Sequence, residues 1–169
     1  IMDFNIEEGQ QVKENQVIGY IDSTQLYLTK LQLLASEKSV QNRIPDIKKQ
    51  IAYWTAGAED DMMTAELLIR ESRVLHGLFF CHLVIEKAVK AHVVKTTGEV
   101  APRSHNLIYL SEKTNLVFDE ECLIFLGILM KYQLQGRYPD YNPILPDQFK
   151  VAEYLNRTKT LLKWLIEKL

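Results

Sequence analysis

The sequence predicts an all-α protein, an up-and-down helical bundle that follows a small N-terminal appendage of two strands and a helix. After about residue 46, apolar residues recur at three- and four-residue steps along five segments, and the connections between these segments are short. Before that point, apolar residues alternate over residues 1–22 and then become a leucine-rich run. We therefore expect two parts, the appendage at residues 1–50 and the bundle at residues 51–169.

The appendage begins with an alternating stretch that is interrupted by a turn at residues 7–10. This pattern predicts two short strands. The run Asp22-Ser23-Thr24 supplies N-cap side chains for the leucine-rich helix that follows. Because proline is tolerated in the first turn of a helix, Pro45 predicts that this helix stops and a second one begins.

Five helices are predicted from residue 46 onward, over residues 46–70, 75–97, 104–113, 119–135 and 146–169. Gly98 is a natural stop for the second helix, and Ser104 is a suitable N-cap for the third. The acidic run Asp119 to Glu121 suits the positive N-terminal end of the fourth. Short connections favour antiparallel neighbours, which is the arrangement of an up-and-down bundle.

Composition limits the classes of function that are compatible with the chain, but it does not identify one. The 169 residues are 25% charged and 47% hydrophobic, as in an ordinary globular protein, and the net charge is −2. Any nucleic-acid binding therefore needs a local basic patch. Cys81 and Cys122 lie in apolar helical contexts, which predicts reduced core thiols rather than a disulfide or a zinc site. No apolar stretch approaches the ~20 residues of a membrane span, and no signal peptide is visible.

Three groups of residues resemble the HEPN family of small helical bundles, which is named for nucleotide binding. The second predicted helix has an aromatic pair, a polar residue and then Glu-Lys-Ala-x-Lys-Ala, at Phe79-Phe80, His82 and residues 86–91. Pro102 followed by Ser104-His105-Asn106-Leu107 resembles the family's entry to its third helix, and Arg137-Tyr138-Pro139-Asp140 resembles its segment before the last helix. Together with matches around Trp54 and Asp61, the resemblance covers about residues 52–169 and implies a HEPN-like bundle.

The residues that follow Arg137 distinguish a catalytic from a non-catalytic member of that family. Catalytic HEPN proteins are metal-independent ribonucleases that place a histidine four to six residues after such an arginine. Here those positions hold Tyr141, Asn142 and Pro143, and no histidine follows His105. Tyrosine is a poor general acid–base substitute, because its ordinary pKa is about 10. We therefore predict no catalysis, with a toxin-like endoribonuclease as the alternative.

The resemblance implies a ligand surface at the Arg137 loop and along the second helix. The candidate ligand-binding residues are Arg137, Tyr138, Asp140, Tyr141, Lys87, Lys90, His82 and Glu86. For Arg137, a salt bridge to Asp140 competes with a phosphate contact. For Lys87 and Lys90, a solvated helix edge is slightly favoured over a nucleotide or RNA contact.

His82 and Glu86 are four residues apart, on one face of the second helix. The spacing suits two metal ligands, but no HExxH motif accompanies it, so a hydrogen-bonded polar pair is favoured and no metal or cofactor is predicted. Glu86 and Lys90 have the same spacing and suit an ion pair. His105 is expected to cap the third helix or to pack beneath the preceding loop.

HEPN proteins of this minimal type are often paired with a small nucleotidyltransferase, as in toxin–antitoxin systems, and several form homodimers around the arginine loop. The resemblance thus implies a cytoplasmic accessory protein. It would form a homodimer and bind a nucleotide, an RNA or a nucleotidyltransferase partner.

Residues 8–23 and the helix after them resemble a different family, the HlyD-type membrane-fusion (efflux adaptor) proteins, at the entry to their barrel-sandwich and coiled-coil hairpin. The related biotinyl and lipoyl modules carry a modified lysine in a Met-Lys turn, which is absent here, so no attached cofactor is expected. This resemblance implies a second alternative, an envelope interaction protein that works through its N-terminal segment. Whether the two parts are a natural fusion or a chimera is left open by the sequence.

Overall fold

The computed structural model describes residues 2–4, 7–17, 19–21, 24–135 and 145–169. The chain divides into two compact units, Ile1–Asn42 and Arg43–Leu169. Within the first unit, strands β1 (Met2–Phe4) and β2 (Gly19–Ile21) pair antiparallel, with Met2 opposite Ile21. The predicted turn at residues 7–10 forms, since the Gln10 amide donates to the Glu7 carbonyl at 3.1 Å.

The longest element, helix α1, runs from Thr24 to Arg70 without a break at Pro45. The prediction that one helix ends and another begins at Pro45 is therefore wrong. A proline inside a helix costs about 3 kcal/mol, because it removes a hydrogen bond and crowds the preceding turn. We attribute the continuity to the helix-forming lysine, glutamine, leucine and isoleucine residues on both sides, which favour one helix over two.

Helix α2 (Val74–Thr97) is the central element of the second unit. It packs against α3 (Leu107–Ser111), α4 (Glu120–Gln135) and α5 (Gln148–Glu167), and Ala58, Met62 and Ala65 of α1 join the same core. Most of its residues from Gly77 to Val94 are buried, which is expected of a helix that is apolar on nearly all sides. The predicted bundle of helices is confirmed, and α2 places its few polar side chains inside it.

Two helix ends have well-formed caps, of which only the one at Gly98 was predicted. Gly98 adopts the left-handed conformation (φ 66°) after α2, and the Asp147 side chain accepts from the Lys150 amide at 2.8 Å before α5. At α3 the predicted cap is wrong: Asn106, not Ser104, accepts from the Tyr109 amide at 3.0 Å. The helix therefore begins three residues later than predicted. Both residue types cap well, and we attribute the later start to a contact made by His105, described below.

Candidate functional site

Four polar side chains meet in the bundle around Glu86, and we call His82, Glu86, Lys90 and His105 the Glu86 cluster. His82 Nε2 lies 3.1 Å and His105 Nδ1 lies 2.9 Å from the same carboxylate oxygen, Oε2. Lys90 Nζ donates to the other oxygen, Oε1, at 2.8 Å. The spacing of four residues puts three members on one face of α2, and His105 reaches them from the connection before α3. The predicted His82–Glu86 hydrogen bond and Glu86–Lys90 ion pair are confirmed.

The Glu86 carboxylate is buried, with 4% of the residue exposed. Burial by itself raises its pKa, but hydrogen bonds from His82, Lys90 and His105 together lower the pKa to about 2. Glu86 is therefore ionised at neutral pH and acts as an acceptor for three donors. A carboxylate in that state cannot serve as a general acid.

The environment of His82 selects its tautomer. Its Nδ1 atom is buried and has no hydrogen-bond partner, while Nε2 faces Glu86. A neutral ring that carries its proton on Nε2 donates to the carboxylate and leaves only an unused acceptor at Nδ1. A charged ring would bury an unpaired N–H, which costs more. His82 therefore donates to the Glu86 carboxylate through Nε2.

Lys90 ties the cluster to helix α1. Its ammonium group lies 5.1 Å from the centre of the Trp54 ring, within the range of a cation–π contact. With only 6% of its surface exposed, Lys90 has its charge satisfied by Glu86 and Trp54 inside the bundle. The cluster thus joins α1, α2 and the connection before α3.

Lys87 makes a second ion pair between the same two helices. Its Nζ lies 2.6 Å from Asp61 Oδ2 and donates to the Gly57 carbonyl at 3.2 Å. Asp61 Oδ2 nevertheless lacks a partner with hydrogen-bond geometry, so the contact with Lys87 is an electrostatic one. A side chain at position 57 would crowd Lys87, since a Cβ there would lie 3.3 Å from the Lys87 side chain.

The prediction that Lys87 and Lys90 lie on a solvated edge of the second helix is therefore wrong for Lys90, and Lys87 is paired rather than free. Lys90 is buried and Lys87 is paired with a carboxylate, so neither presents a free ammonium group to a phosphate in this conformation. The most accessible member of the Glu86 cluster is His105, whose side chain is 45% exposed. The remaining candidates, Arg137, Tyr138, Asp140 and Tyr141, lie outside the described residues.

His105 was predicted to cap α3 or to pack beneath the preceding loop, but Asn106 makes the cap, and the contact of His105 with Glu86 was not predicted. His105 is 19 positions from Glu86 in sequence, so no helical spacing links the two. The motif around Pro102 and His105 indicated an entry to α3 but did not indicate which side chain His105 contacts.

Apart from His76, which is exposed, the remaining histidine and cysteine side chains of the described residues are at least partly buried or paired. Burial raises the pKa of Cys81 and of Cys122 to about 11, and both thiols are free, as predicted. His92 Nε2 lies 2.8 Å from the Leu165 carbonyl, and burial lowers its pKa. Within the ranges that the structure describes, no three His, Cys, Asp or Glu side chains are arranged to hold a metal ion. In those ranges there is also no helix both long and apolar enough to cross a bilayer.

The fold and the cluster describe an α-helical bundle domain whose core contains a paired carboxylate. The HEPN domain model matches residues 51–169, which is more than half of the chain. The chain therefore belongs to the HEPN family.

Two solved structures share this fold. The protein TT1696 from Thermus thermophilus is 20% identical, with a TM-score of 0.62 over 71% of this chain and 98% of that one. ST0689, an archaeal HEPN homologue, is 23% identical, with a TM-score of 0.55 over 70% of this chain and 96% of that one. At these identities the likeness concerns the fold alone.

No curated protein matches the chain. The HlyD-type resemblance of the first 50 residues finds no support in these comparisons, because the family match begins at residue 51.

Proposed function

We propose that this chain is a non-catalytic HEPN protein that binds a nucleotide or RNA through the segment that contains Arg137. The observation that carries the proposal is the absence of a histidine four to six residues after Arg137, where Tyr141, Asn142 and Pro143 stand instead. The HEPN family includes nucleotide-binding and ribonuclease-like members. A member that keeps the arginine but lacks the histidine keeps a phosphate contact without the proton-transfer group.

The contacts made by the other histidines support the same proposal. The chain has four histidines. His82 and His105 contact Glu86, and His92 contacts the Leu165 carbonyl. His76 lies near the start of α2 and makes no hydrogen bond or ion pair among the described residues. None of the three paired rings is free to replace the missing catalytic histidine.

In this proposal the Glu86 cluster has a positioning role. It joins α1, α2 and the connection before α3. The ammonium group of Lys90 contacts Glu86 and Trp54 inside the bundle and is not available to a ligand. The proposed contact with a phosphate therefore rests on Arg137, with Tyr138, Asp140 and Tyr141 beside it in sequence. His105, the most exposed member of the Glu86 cluster, is a secondary candidate.

The family also motivates the proposals on partners. A HEPN protein of this size often pairs with a nucleotidyltransferase and often forms a homodimer around the arginine loop. We extend both properties to this chain as proposals, together with a cytoplasmic location.

Calorimetric titration with ATP and with a short single-stranded RNA tests the ligand proposal. We expect the wild type to bind one of the two and Arg137→Ala to bind about tenfold or more weakly, because a charge-assisted hydrogen bond is lost. Arg73→Ala, which removes an exposed arginine between α1 and α2, is the matched control and should bind like the wild type.

Equal binding by Arg137→Ala and the wild type would overturn the assignment of the site. The same RNA, recovered after incubation in EDTA, should be intact. Cleavage that is lost in Arg137→Ala would establish the ribonuclease alternative instead.

A further inference from the structure

Helix α1 is packed after Pro45 and exposed before it. Every residue from Gln25 to Asp46 is exposed. Beyond that range, partly or fully buried residues recur at steps of three and four, at Ile47, Ile51, Trp54 and Ala58. We call residues 24–42, the part of α1 that belongs to the first unit, the upstream segment. The later part of α1 is stabilised by packing, and the upstream segment is not.

The upstream segment depends on its own backbone hydrogen bonds. Most of the stability of a helix in a protein comes from the packing of one face, and a helix without that packing is marginal in water. The segment mixes strong helix formers such as leucine and lysine with residues of weaker preference, including Tyr27, Thr29 and Asn42. Its first turn carries no acidic side chain to stabilise the positive end of the helix. Local unfolding of this segment therefore costs little free energy.

Pro45 lies where the upstream segment ends. A proline has no N–H group, so the Gln41 carbonyl has no helical donor four residues later. The two compact units divide within the same turn of helix, between Asn42 and Arg43. Arg43 Nη2 donates to the Gly98 carbonyl at 2.6 Å, which attaches this point of α1 to the second unit. The weakest turn of the helix thus coincides with the first residue of the packed part.

We propose that the upstream segment unfolds and refolds as a local order–disorder element while the bundle stays folded, and that Pro45 sets the end of this element. The missing hydrogen bond reduces the cooperativity between the two parts of α1, so that opening of the upstream segment does not spread into the packed part. This inference concerns the conformation of α1 and does not depend on the proposed function.

Hydrogen exchange of the full chain under native conditions tests the proposal. We expect the amides of residues 28–42 to exchange about a hundredfold or more faster than those of the buried part of α2, residues 81–94. The exchange of the α2 amides reports the opening of the bundle, so the comparison within one chain separates local from global unfolding.

A substitution at Pro45 tests what sets the end of the element. Pro45→Ala restores a donor for the Gln41 carbonyl and places the better helix former, so the amides of residues 34–42 should exchange about tenfold or more slowly. Asp46→Ala is the matched control, because it places alanine at the next exposed position of the same helix without adding a donor. It should change the exchange by less than about threefold.

Limited digestion with trypsin gives an independent measurement. Lys30 and Lys38 are exposed in the upstream segment, and Lys48 and Lys49 are exposed in the packed part of the same helix. Because the four side chains are equally accessible in class, a difference in cleavage reports local opening of the backbone. We expect the chain to be cut after Lys30 and Lys38 while the bonds after Lys48 and Lys49 stay intact.

Three results would overturn the proposal. Equal protection of residues 28–42 and of α2 shows that the upstream segment unfolds only with the bundle. Exchange in Pro45→Ala that is no slower than in Asp46→Ala shows that the proline does not set the end of the element. Cleavage after Lys48 or Lys49 as early as after Lys30 and Lys38 shows that the opening extends into the packed part of α1.

Discussion

At the scale of single residues, Glu86 is an ionised carboxylate in a helical core, held there by three donors. Its charge is stabilised by contacts with His82, Lys90 and His105 rather than by water. A buried charge without such partners would cost several kcal/mol, so each donor matters more than it would on a surface. The stability of the second unit should therefore depend on the protonation of this one residue.

The pH dependence of unfolding tests this dependence on Glu86. Its pKa is lowered from 4.5 to about 2 in the folded chain, because the hydrogen bonds from His82, Lys90 and His105 outweigh the burial that raises it. A lowered pKa contributes stability that is fully present above pH 4.5 and is lost as the pH falls toward 2. We expect the wild type to lose on the order of 3 kcal/mol in unfolding free energy over that window through this group.

Urea denaturation at a series of pH values measures the effect. Glu86→Gln should show a shallower loss of unfolding free energy in the same window, because it has no proton to take up. Glu66→Gln, which changes a half-exposed glutamate paired with Lys159, is the control and should keep the slope of the wild type. Identical slopes for Glu86→Gln and the wild type would contradict the role assigned to this carboxylate.

At the scale of the elements, two helical glycines are in opposite surroundings. A Cβ at Gly77 of α2 would lie 2.4 Å from Ile69 Cγ1, so α1 and α2 approach closely there. A Cβ at Gly127 of α4 would have no neighbour within 4 Å. The same substitution should therefore have opposite effects at the two positions.

We expect Gly77→Ala to destabilise the protein by about 1–3 kcal/mol, since the added methyl group forces α1 and α2 apart. Gly127→Ala should stabilise it by about 0.5–1 kcal/mol, because alanine is the better helix former and meets no obstacle. Thermal and urea denaturation of the two variants measures both. A stabilising Gly77→Ala would show that Ile69 can move aside.

The caps of α3 show how a tertiary contact selects between two local solutions. Ser104 and Asn106 both have side chains that cap helices well, and local preference alone favours neither. Asn106 is extended and the helix begins at Leu107, and we attribute this choice to the bond between His105 and Glu86. The predicted start at Ser104 failed because the partner of His105 lies on another helix.

At the scale of the whole molecule, the boundary between the two units is testable. The units meet between Asn42 and Arg43, whereas the sequence predicted a boundary after residue 50 and the family match begins at residue 51. Arg43 donates to the Gly98 carbonyl at 2.6 Å, and Ile47 packs within reach of Gly98. Residues 43–50 therefore contribute contacts to the second unit.

A chain that starts at Arg43 should unfold like the second unit of the full chain, whereas one that starts at Ile51 should be less stable by about 1–3 kcal/mol. The loss combines one hydrogen bond with the partial burial of Ile47. Calorimetry of the two shortened chains makes the comparison, and Arg43→Ala with Ile47→Ala in the full chain is its control. Equal stability of the two shortened chains would move the boundary back to residue 50.

The sequence by itself determined the helical class, four of the five predicted helix positions in the bundle to within a few residues, and the pairing of Glu86 with His82 and Lys90. These features are local: a 3.6-residue period, a cap or a four-residue spacing is complete within one segment of chain. The order of short motifs also identified the HEPN family.

Only the tertiary structure decided the continuity of α1 through Pro45, the burial of Lys90 beside Trp54, and the partnership of His105 with Glu86. The contacts of Lys90 and His105 join residues that are distant in sequence. The continuity of α1 depends on whether the stability of the whole helix exceeds the destabilisation caused by one proline. The periodicity of the sequence predicts that α2 is apolar, but it does not predict which residues contact the polar side chains of that helix. For that reason a helix edge that was expected to be solvated is instead the paired polar centre of the bundle.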